Sequence, residues 1–279
     1  MNCPPRTGRL LHTLLSSSRK AFLNVESLSL IAIPGIPHVR TGDDITRLLL
    51  DALDWAGLAL LDGDVLVVAQ KIISKAEGRQ VPLAGIEPRP RANELAAQTG
   101  KDPRLVELIL RESVEVSRVR PGVIITRHRL GFTSANAGID RSNVELDGIE
   151  EEAVLLLPED PDASARRVRE AIHVERGVQV GVIIADSHGR PFRLGTVGVA
   201  IGVAGLTALW DRRGEPDLYG FRLQHTDVGL ADEIAAAAGL LMGQAAEGLP
   251  AVLIRGLRLP PGDGRATDLV RPIDQDLYR

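Results

Sequence analysis

The sequence predicts an α+β fold, and three observations carry that expectation. Short apolar strand-like runs and amphipathic helical patterns follow one another without a regular strand–helix–strand alternation. No internal repeat is present. With 44% hydrophobic residues in a chain of 279, there is enough apolar surface to bury one large core or two modest ones.

The first strand is read in SLSLIAIPGIP, where Leu28, Leu30, Ile31 and Ile33 are apolar and Pro34 ends the run. Asp43 and Asp44 can cap a helix that places Ile45, Leu48, Leu49, Ala52 and Leu53 on one face and stops near Gly57. After the Asp62-Gly63 turn signal, Asp64 to Ala69 reads as a buried strand that delivers the polar segment QKIISKAEGR at its end. Helices are expected from about Arg91 to Thr99, and from the Asp102 cap with Pro103 in the first turn to about Ser113. Two short strands flank Pro121-Gly122, and a loop of small and polar residues runs from Gly131 to Asn143. A strand over Ala153 to Leu157, a helix over Asp162 to Val174 and a strand over Val178 to Ala185 follow, the last running into DSHGRPFR. Gly198, Gly202 and Gly205 are expected to serve close backbone packing. An Ala-rich helix from about Asp227 to Met242 and a strand over Ala251 to Ile254 complete the series.

Charge and composition exclude several functions. The chain has 33 basic and 37 acidic side chains, and its basic residues are spread out rather than clustered. It therefore offers no footprint for nucleic acid or a membrane surface. Its apolar runs fall far short of the roughly 20 residues that cross a bilayer, so the chain reads as soluble. The single cysteine, Cys3, permits no internal disulfide and no cysteine-rich metal site, which suits a cytoplasmic protein. Neither G-x-x-x-x-G-K-[ST] nor G-x-G-x-x-G occurs, so neither a P-loop nor a Rossmann site is expected.

Polar clusters at strand ends are where open sheets hold ligands, which directs attention to Gln70–Arg79 and Asp186–Arg193. Asp140, in NAGIDRSN, and Asp186, at a strand exit, are two carboxylates from separate segments that could hold Mg²⁺ or Mn²⁺ against phosphate. Taken singly, Asp140 could equally form an Asx-turn and Asp186 cap the next element. Ser187 could add a neutral oxygen ligand. Lys71 and Lys75 fit phosphate contacts or a solvated face, and Arg190 and Arg193 fit an anionic substrate group. His188 lacks a visible orienting partner and reads as a solvated side chain rather than a general base. The other histidines have no zinc-ligand spacing.

Nine blocks then occur in one order: GIPHVRTGDD, DGDVLVVAQKIISKAEGR, KDPRLVELILRES, ANAGIDRSN, LLLPEDPDASA, GVIIADSHGRPFRLGTVGVAIGVAG, DLYG, ADEIAAAAGLLMGQ and LPAVLIRGL. Together, from Ile33 to Leu257, they resemble the coenzyme F420-0:L-glutamate ligase family. The resemblance implies a two-lobed α+β fold, a homodimer, and GTP-dependent addition of L-glutamate to the lactyl carboxylate of the deazaflavin F420-0. Extension through γ-linkages, release of GDP and phosphate, a requirement for Mn²⁺ or Mg²⁺ and stimulation by K⁺ are implied with it. The family's nucleotide contacts would fall on Ile36, Pro37, His38 and Val39, on Gln70, Lys71 and Lys75, on Asn143, and on Met242, Gly243, Gln244, Ala245, Ala246, Glu247, Gly248 and Leu249. One metal would sit on Asp140 and Asp186, a second on Ser187 and Gln244. Some members have Ser-Thr at Gln70-Lys71, Thr at Ser187 and Glu at Gln244, so this chain departs from them on the phosphate side and at the second ion.

In that chemistry Lys75, Arg190 and Arg193 would be the catalytic cations that neutralise charge during phosphoryl transfer. Residues 1–26, with no acid before Glu26, are expected to be a disordered extension ahead of a catalytic unit over 27–279, a stand-alone ligase without a reductase-like domain. Two other readings use the same residues: a metal-dependent phosphoester hydrolase, and a non-catalytic module that binds a nucleotide or deazaflavin.

Overall fold

The computed structural model describes residues 27–144 and 152–276, so the expected extension over 1–26 lies outside the described residues. β1 (Ser29–Ala32) leads through a loop to α1 (Ile45–Trp55), where the Asp44 carboxylate accepts from the Arg47 backbone N–H at 3.1 Å and caps the first turn. β2 (Val65–Ala69) passes directly into α2 (Gln70–Ala76), and β3 (Gln80–Pro82) follows. α3 (Pro90–Thr99) stops on left-handed Gly100, and α4 (Pro103–Arg111) starts on the Asp102 cap. β4 (Ser113–Arg120) and β5 (Val123–His128) form a hairpin that turns at Pro121-Gly122, and β6 (Thr133–Ala135) pairs with β5. β7 (Ala153–Leu155) pairs with β3. α5 (Pro161–Arg176), capped by Asp160, precedes β8 (Gly181–Arg190) and β9 (Arg193–Ala204). β10 (Trp210–Asp211), β11 (Asp227–Val228), α6 (Leu230–Met242) and β12 (Ala251–Arg255) close the series.

The central sheet has the order β1-β12-β2-β8-β9, in which β2 and β8 run parallel and every other neighbouring pair antiparallel. Side chains alternate across it. Leu66 and Val68 join Leu49, Leu53, Ile172 and Ile184 on the face that α1, α2 and α5 cover. Val65 and Val67 join Ile183, Val203, Ala235 and Ala238 on the face that α6 covers. Burial on both faces is why DVLVVA and VQVGVIIA are continuous apolar runs. A second lobe has its own core, in which Leu95, Ile109, Ile124 and Val154 bring together α3, α4, the β4–β5 hairpin and β7. The fold is α+β, as expected. No helix among the described residues is long and apolar enough to cross a membrane.

The structure departs from the sequence reading at several elements, among them the expected Gly131–Asn143 loop, which contains β6. QKIISKAEGR is mostly helix rather than a polar strand end. β8 starts at Gly181 rather than Val178 and does not stop at Ala185 but runs to Arg190. The glycine-rich stretch after it is a full strand, β9. The packing role of its glycines holds: a Cβ at Gly198 would strike the Ala235 carbonyl, and one at Gly202 the Pro161 carbonyl, so both helices lie directly on the strand backbone. The Ala-rich helix begins at Leu230, because Asp227 and Val228 pair with Trp210 and Asp211 instead.

Candidate active site

The passage from β2 into α2 sets the first part of the site. Gln70, the first residue of the helix, is buried, and the Ser74 hydroxyl donates to its Oε1 at 2.9 Å. That bond orients the amide so that Nε2 donates to Asp140 Oδ2 at 2.6 Å. Lys71 Nζ lies 2.9 Å from the same oxygen and also donates to the backbone carbonyl and the hydroxyl of Ser142. Asp140 is therefore no Asx-turn. Its backbone forms a bridge with Leu155, which presents the side chain to α2. Burial raises its pKa, the Lys71 charge opposes the rise, and the Asp186 charge adds to it. β2 and β8 pair at Ala69 and Ala185, so Gln70, which holds Asp140, and Asp186 leave neighbouring strands side by side.

Asp186 shares a face of β8 with His188, two residues on, and their Oδ2 and Nε2 are 2.9 Å apart. The side chains are only 13% and 10% exposed, so this histidine is neither solvated nor without an orienting partner, contrary to the sequence reading. Its ring packs at 4.9 Å on Phe132, which stacks at 5.2 Å on His128. Behind them Glu112 gathers Arg79 at 3.2 Å, Arg129 at 3.0 Å and His128 at 3.5 Å. Burial would push the Glu112 carboxyl up, but these three neighbours hold it at about 2.

The segments expected to touch the nucleotide are linked one to the next. Gly42 N–H donates to the Ala76 carbonyl at 2.9 Å and docks the loop that carries Ile36, Pro37, His38 and Val39 on the end of α2. Lys71 joins α2 to Ser142, and Asn143 Nδ2 donates to the Ala245 carbonyl at 3.3 Å. Beyond α6, Gly243 takes φ +71° and the Glu247 carboxylate accepts from Ala245 N–H at 2.8 Å, folding the segment into a compact turn. Lys75 lies half-buried in the last turn of α2.

The match to known proteins covers these segments. The family model of the F420-0:Gamma-glutamyl ligase matches residues 35–256. The chain belongs to this family. Among its relatives, the coenzyme F420:L-glutamate ligase of Methanothermobacter thermautotrophicus is 51% identical over 256 residues, covering 90% of this chain and 99% of that protein. That of Methanocaldococcus jannaschii is 48% identical over 218 residues (78% and 85%), and that of Methanopyrus kandleri 47% over 257 (91% and 98%). Membership places the chain among the ligases of coenzyme F420 biosynthesis.

The expected metal ligands of this F420 ligase divide between two faces of β8. Asp186 lies on the face it shares with His188, whereas Ser187 pairs with Gly198, whose face α6 covers, and Gln244 lies exposed just past the end of α6. All are oxygen donors of the kind Mg²⁺ and Mn²⁺ take. Among the described residues no group of three or more His, Cys, Asp and Glu gathers, so an ion on Asp140 and Asp186 would draw its remaining oxygens from water and phosphate. The repulsion between the two aspartates fits such an ion.

Arg190 and Arg193 pair across the tip of the β8–β9 hairpin. Arg190 is four residues past Asp186, roughly 13 Å along the strand, and its guanidinium donates to the Leu194 carbonyl at 3.2 Å. The fold thus gathers Gln70, Lys71, Asp140 and Asp186 and sets these two arginines further out.

Proposed function

We propose that this F420 ligase joins L-glutamate to the lactyl carboxylate of coenzyme F420-0 in the cytoplasm, with GTP as phosphoryl donor and an acyl phosphate as intermediate. The observation that carries the reading is the Asp140–Asp186 pair at the junction of the four linked segments, with Lys71 on one carboxylate. It has the charge pattern of a phosphoryl-transfer site, where positioning and neutralisation do most of the catalysis.

A carboxylate is a poor acyl donor until one of its oxygens becomes a good leaving group. The acceptor oxygen attacks the γ-phosphorus of GTP, the bond to the β–γ bridging oxygen breaks, and GDP leaves. The glutamate amine then attacks the acyl carbon, the carbon–oxygen bond breaks, phosphate departs, and the amine gives up a proton. A divalent ion, Mn²⁺ or Mg²⁺, supplies phosphate charge neutralisation when bound. Asp140 and Asp186 would hold one ion, Ser187 and Gln244 a second, and K⁺ would stimulate.

Ile36 to Val39, Gln70, Lys71, Asn143 and the turn from Met242 to Leu249 would seat the nucleotide. Lys75 would meet its phosphates. Arg190 and Arg193 sit beside Phe192 and Leu194, which are 92% and 99% exposed, and Leu218 and Tyr219 are equally open. Exposed apolar side chains of this size support a homodimer, in which hairpin tips would be covered. Repetition of the same cycle on the new γ-carboxylate would give γ-linked extension.

The experiment is incubation of the purified protein with F420-0, GTP, L-glutamate and Mn²⁺, followed by product masses. A glutamyl adduct formed only when all four are present supports the reading. Phosphate release at the same rate without glutamate identifies a hydrolase, and binding without turnover identifies a module.

A further inference from the structure

Two donors of opposite character reach Asp140 Oδ2 from consecutive positions of α2. Gln70 is a neutral donor at 2.6 Å, buried, with its amide fixed by the Ser74 hydroxyl at 2.9 Å. Lys71 brings a full positive charge to 2.9 Å of the same oxygen, and its side chain is 30% exposed. Its further contacts, the Ser142 carbonyl at 3.3 Å and hydroxyl at 3.2 Å, are neutral and lie in the exposed stretch that follows Asp140. Arg141, the next cation along that stretch, pairs with Glu152 instead. Asp186 has different company: it meets His188 Nε2 at 2.9 Å, and among the described residues no Lys or Arg pairs with it.

One carboxylate of the pair is thus already neutralised by a cation of the chain itself. An ammonium and a divalent ion on the same carboxylate repel each other, and partial burial leaves that repulsion less screened than it would be in water. Nucleotide phosphates change the balance, because they offer the ammonium charged oxygens of their own. Lysine suits an exchange of partners, since its compact charge rides on a flexible four-carbon stem. Gln70 does not, being buried and held from behind by Ser74.

We propose that Lys71 is the resident counter-ion of Asp140, keeping a divalent ion off this carboxylate until nucleotide phosphates draw the ammonium away. The inference rests on the ligase reading above, in which Asp140 is a metal ligand. Gln70 holds the carboxylate in place while Lys71 changes partner. The protein then takes ion and nucleotide together, each strengthening the hold on the other, and binds an ion that carries no nucleotide poorly.

The test separates the two roles of one side chain. Lys71→Met and Lys71→Gln remove the charge at similar length, Lys71→Arg keeps it, and circular dichroism checks that each folds. Binding of Mn²⁺ alone is read from loss of the electron paramagnetic resonance signal of the free ion. Binding of the Mn²⁺ complex of a non-hydrolysable GTP analogue is read by calorimetry. Opposite signs are expected in the neutral variants: Mn²⁺ alone should bind on the order of tenfold or more tighter than to wild type, and the nucleotide complex on the order of tenfold weaker. Lys71→Arg should hold Mn²⁺ alone as wild type does, and the gain should vanish in Asp140→Asn/Lys71→Met. Mn²⁺ affinity unchanged or weakened in a folded neutral variant overturns the proposal, as does a gain that survives Asp140→Asn. Tighter binding of both ligands overturns it too, because the ammonium would then not pass to the phosphates. The ligase reading fails separately: wild type and variants would show these opposite signs, yet wild type would form no glutamyl adduct.

Discussion

The Gln70 amide donates to Asp140 Oδ2 at 2.6 Å, tying the first residue of α2 to a loop carboxylate seventy positions away. Lys71 reaches the same oxygen from the next position of the helix. The arrangement positions a carboxylate at some cost to the fold.

That cost is measurable. Burial raises the Asp140 pKa above its unfolded value, so its ionised form is disfavoured in the native state and stability rises as pH falls through the folded pKa toward the unfolded value of 3.8. At neutral pH, Asp140→Asn is expected to keep or raise the melting temperature, since an amide still accepts from Gln70. Turnover should fall by about 100-fold or more. Thermal unfolding and kcat with saturating Mn²⁺ check both, and an unchanged kcat would remove Asp140 from the reacting site.

Glu112 acts in the opposite sense. Held at about 2 by His128, Arg129 and Arg79 against the effect of burial, it contributes stability that is present above its unfolded pKa near 4.5 and lost as pH falls toward 2. Glu112→Gln should destabilise by roughly 3 kcal/mol at neutral pH, because the basic groups lose their common partner. Urea unfolding between pH 5 and 2 should find a flatter acid limb in the variant than in wild type. Parallel limbs would show that Glu112 is not the group that titrates.

Gly202→Ala is expected to cost about 1–3 kcal/mol, because the new methyl meets the Pro161 backbone, which cannot swing away like a side chain. Gly189→Ala, with nothing within 4 Å of its Cβ, is the control and should cost much less. Equal midpoints in urea would mean that α5 does not sit directly on β9.

These positions also mark how far the sequence could be read. α1, α4 and α5 were legible because a cap residue and an apolar face coincide in each, and β2 because its run is buried on both sides. α2 was hidden: seven residues are too few for a helical period to register, and its start on Gln-Lys resembles a polar loop. β9 was hidden because glycine weakens a strand signal, and here glycine is required by two helix backbones that no local pattern reveals. With β8 taken to end at Ala185, the spacing of Asp186 and His188 could not be recognised as one strand face, and so the partner of His188 was missed. Asp140, Asp186 and Lys71 were picked out as candidates because charged residues at strand exits and in small-residue loops stand out.

The exposed hairpin tip carries the quaternary prediction. Phe192→Ser/Leu194→Ser should leave the protomer folded and shift the solution mass toward the monomer, measured by analytical ultracentrifugation. A mass unchanged at low concentration would place the dimer contact elsewhere.

The acyl-phosphate account is tested most directly by isotope transfer. With ¹⁸O in the acceptor carboxylate, one labelled oxygen should appear in the phosphate released for each amide bond, with one GTP converted to GDP. Label retained wholly in the acceptor, or GMP and pyrophosphate as products, would contradict it.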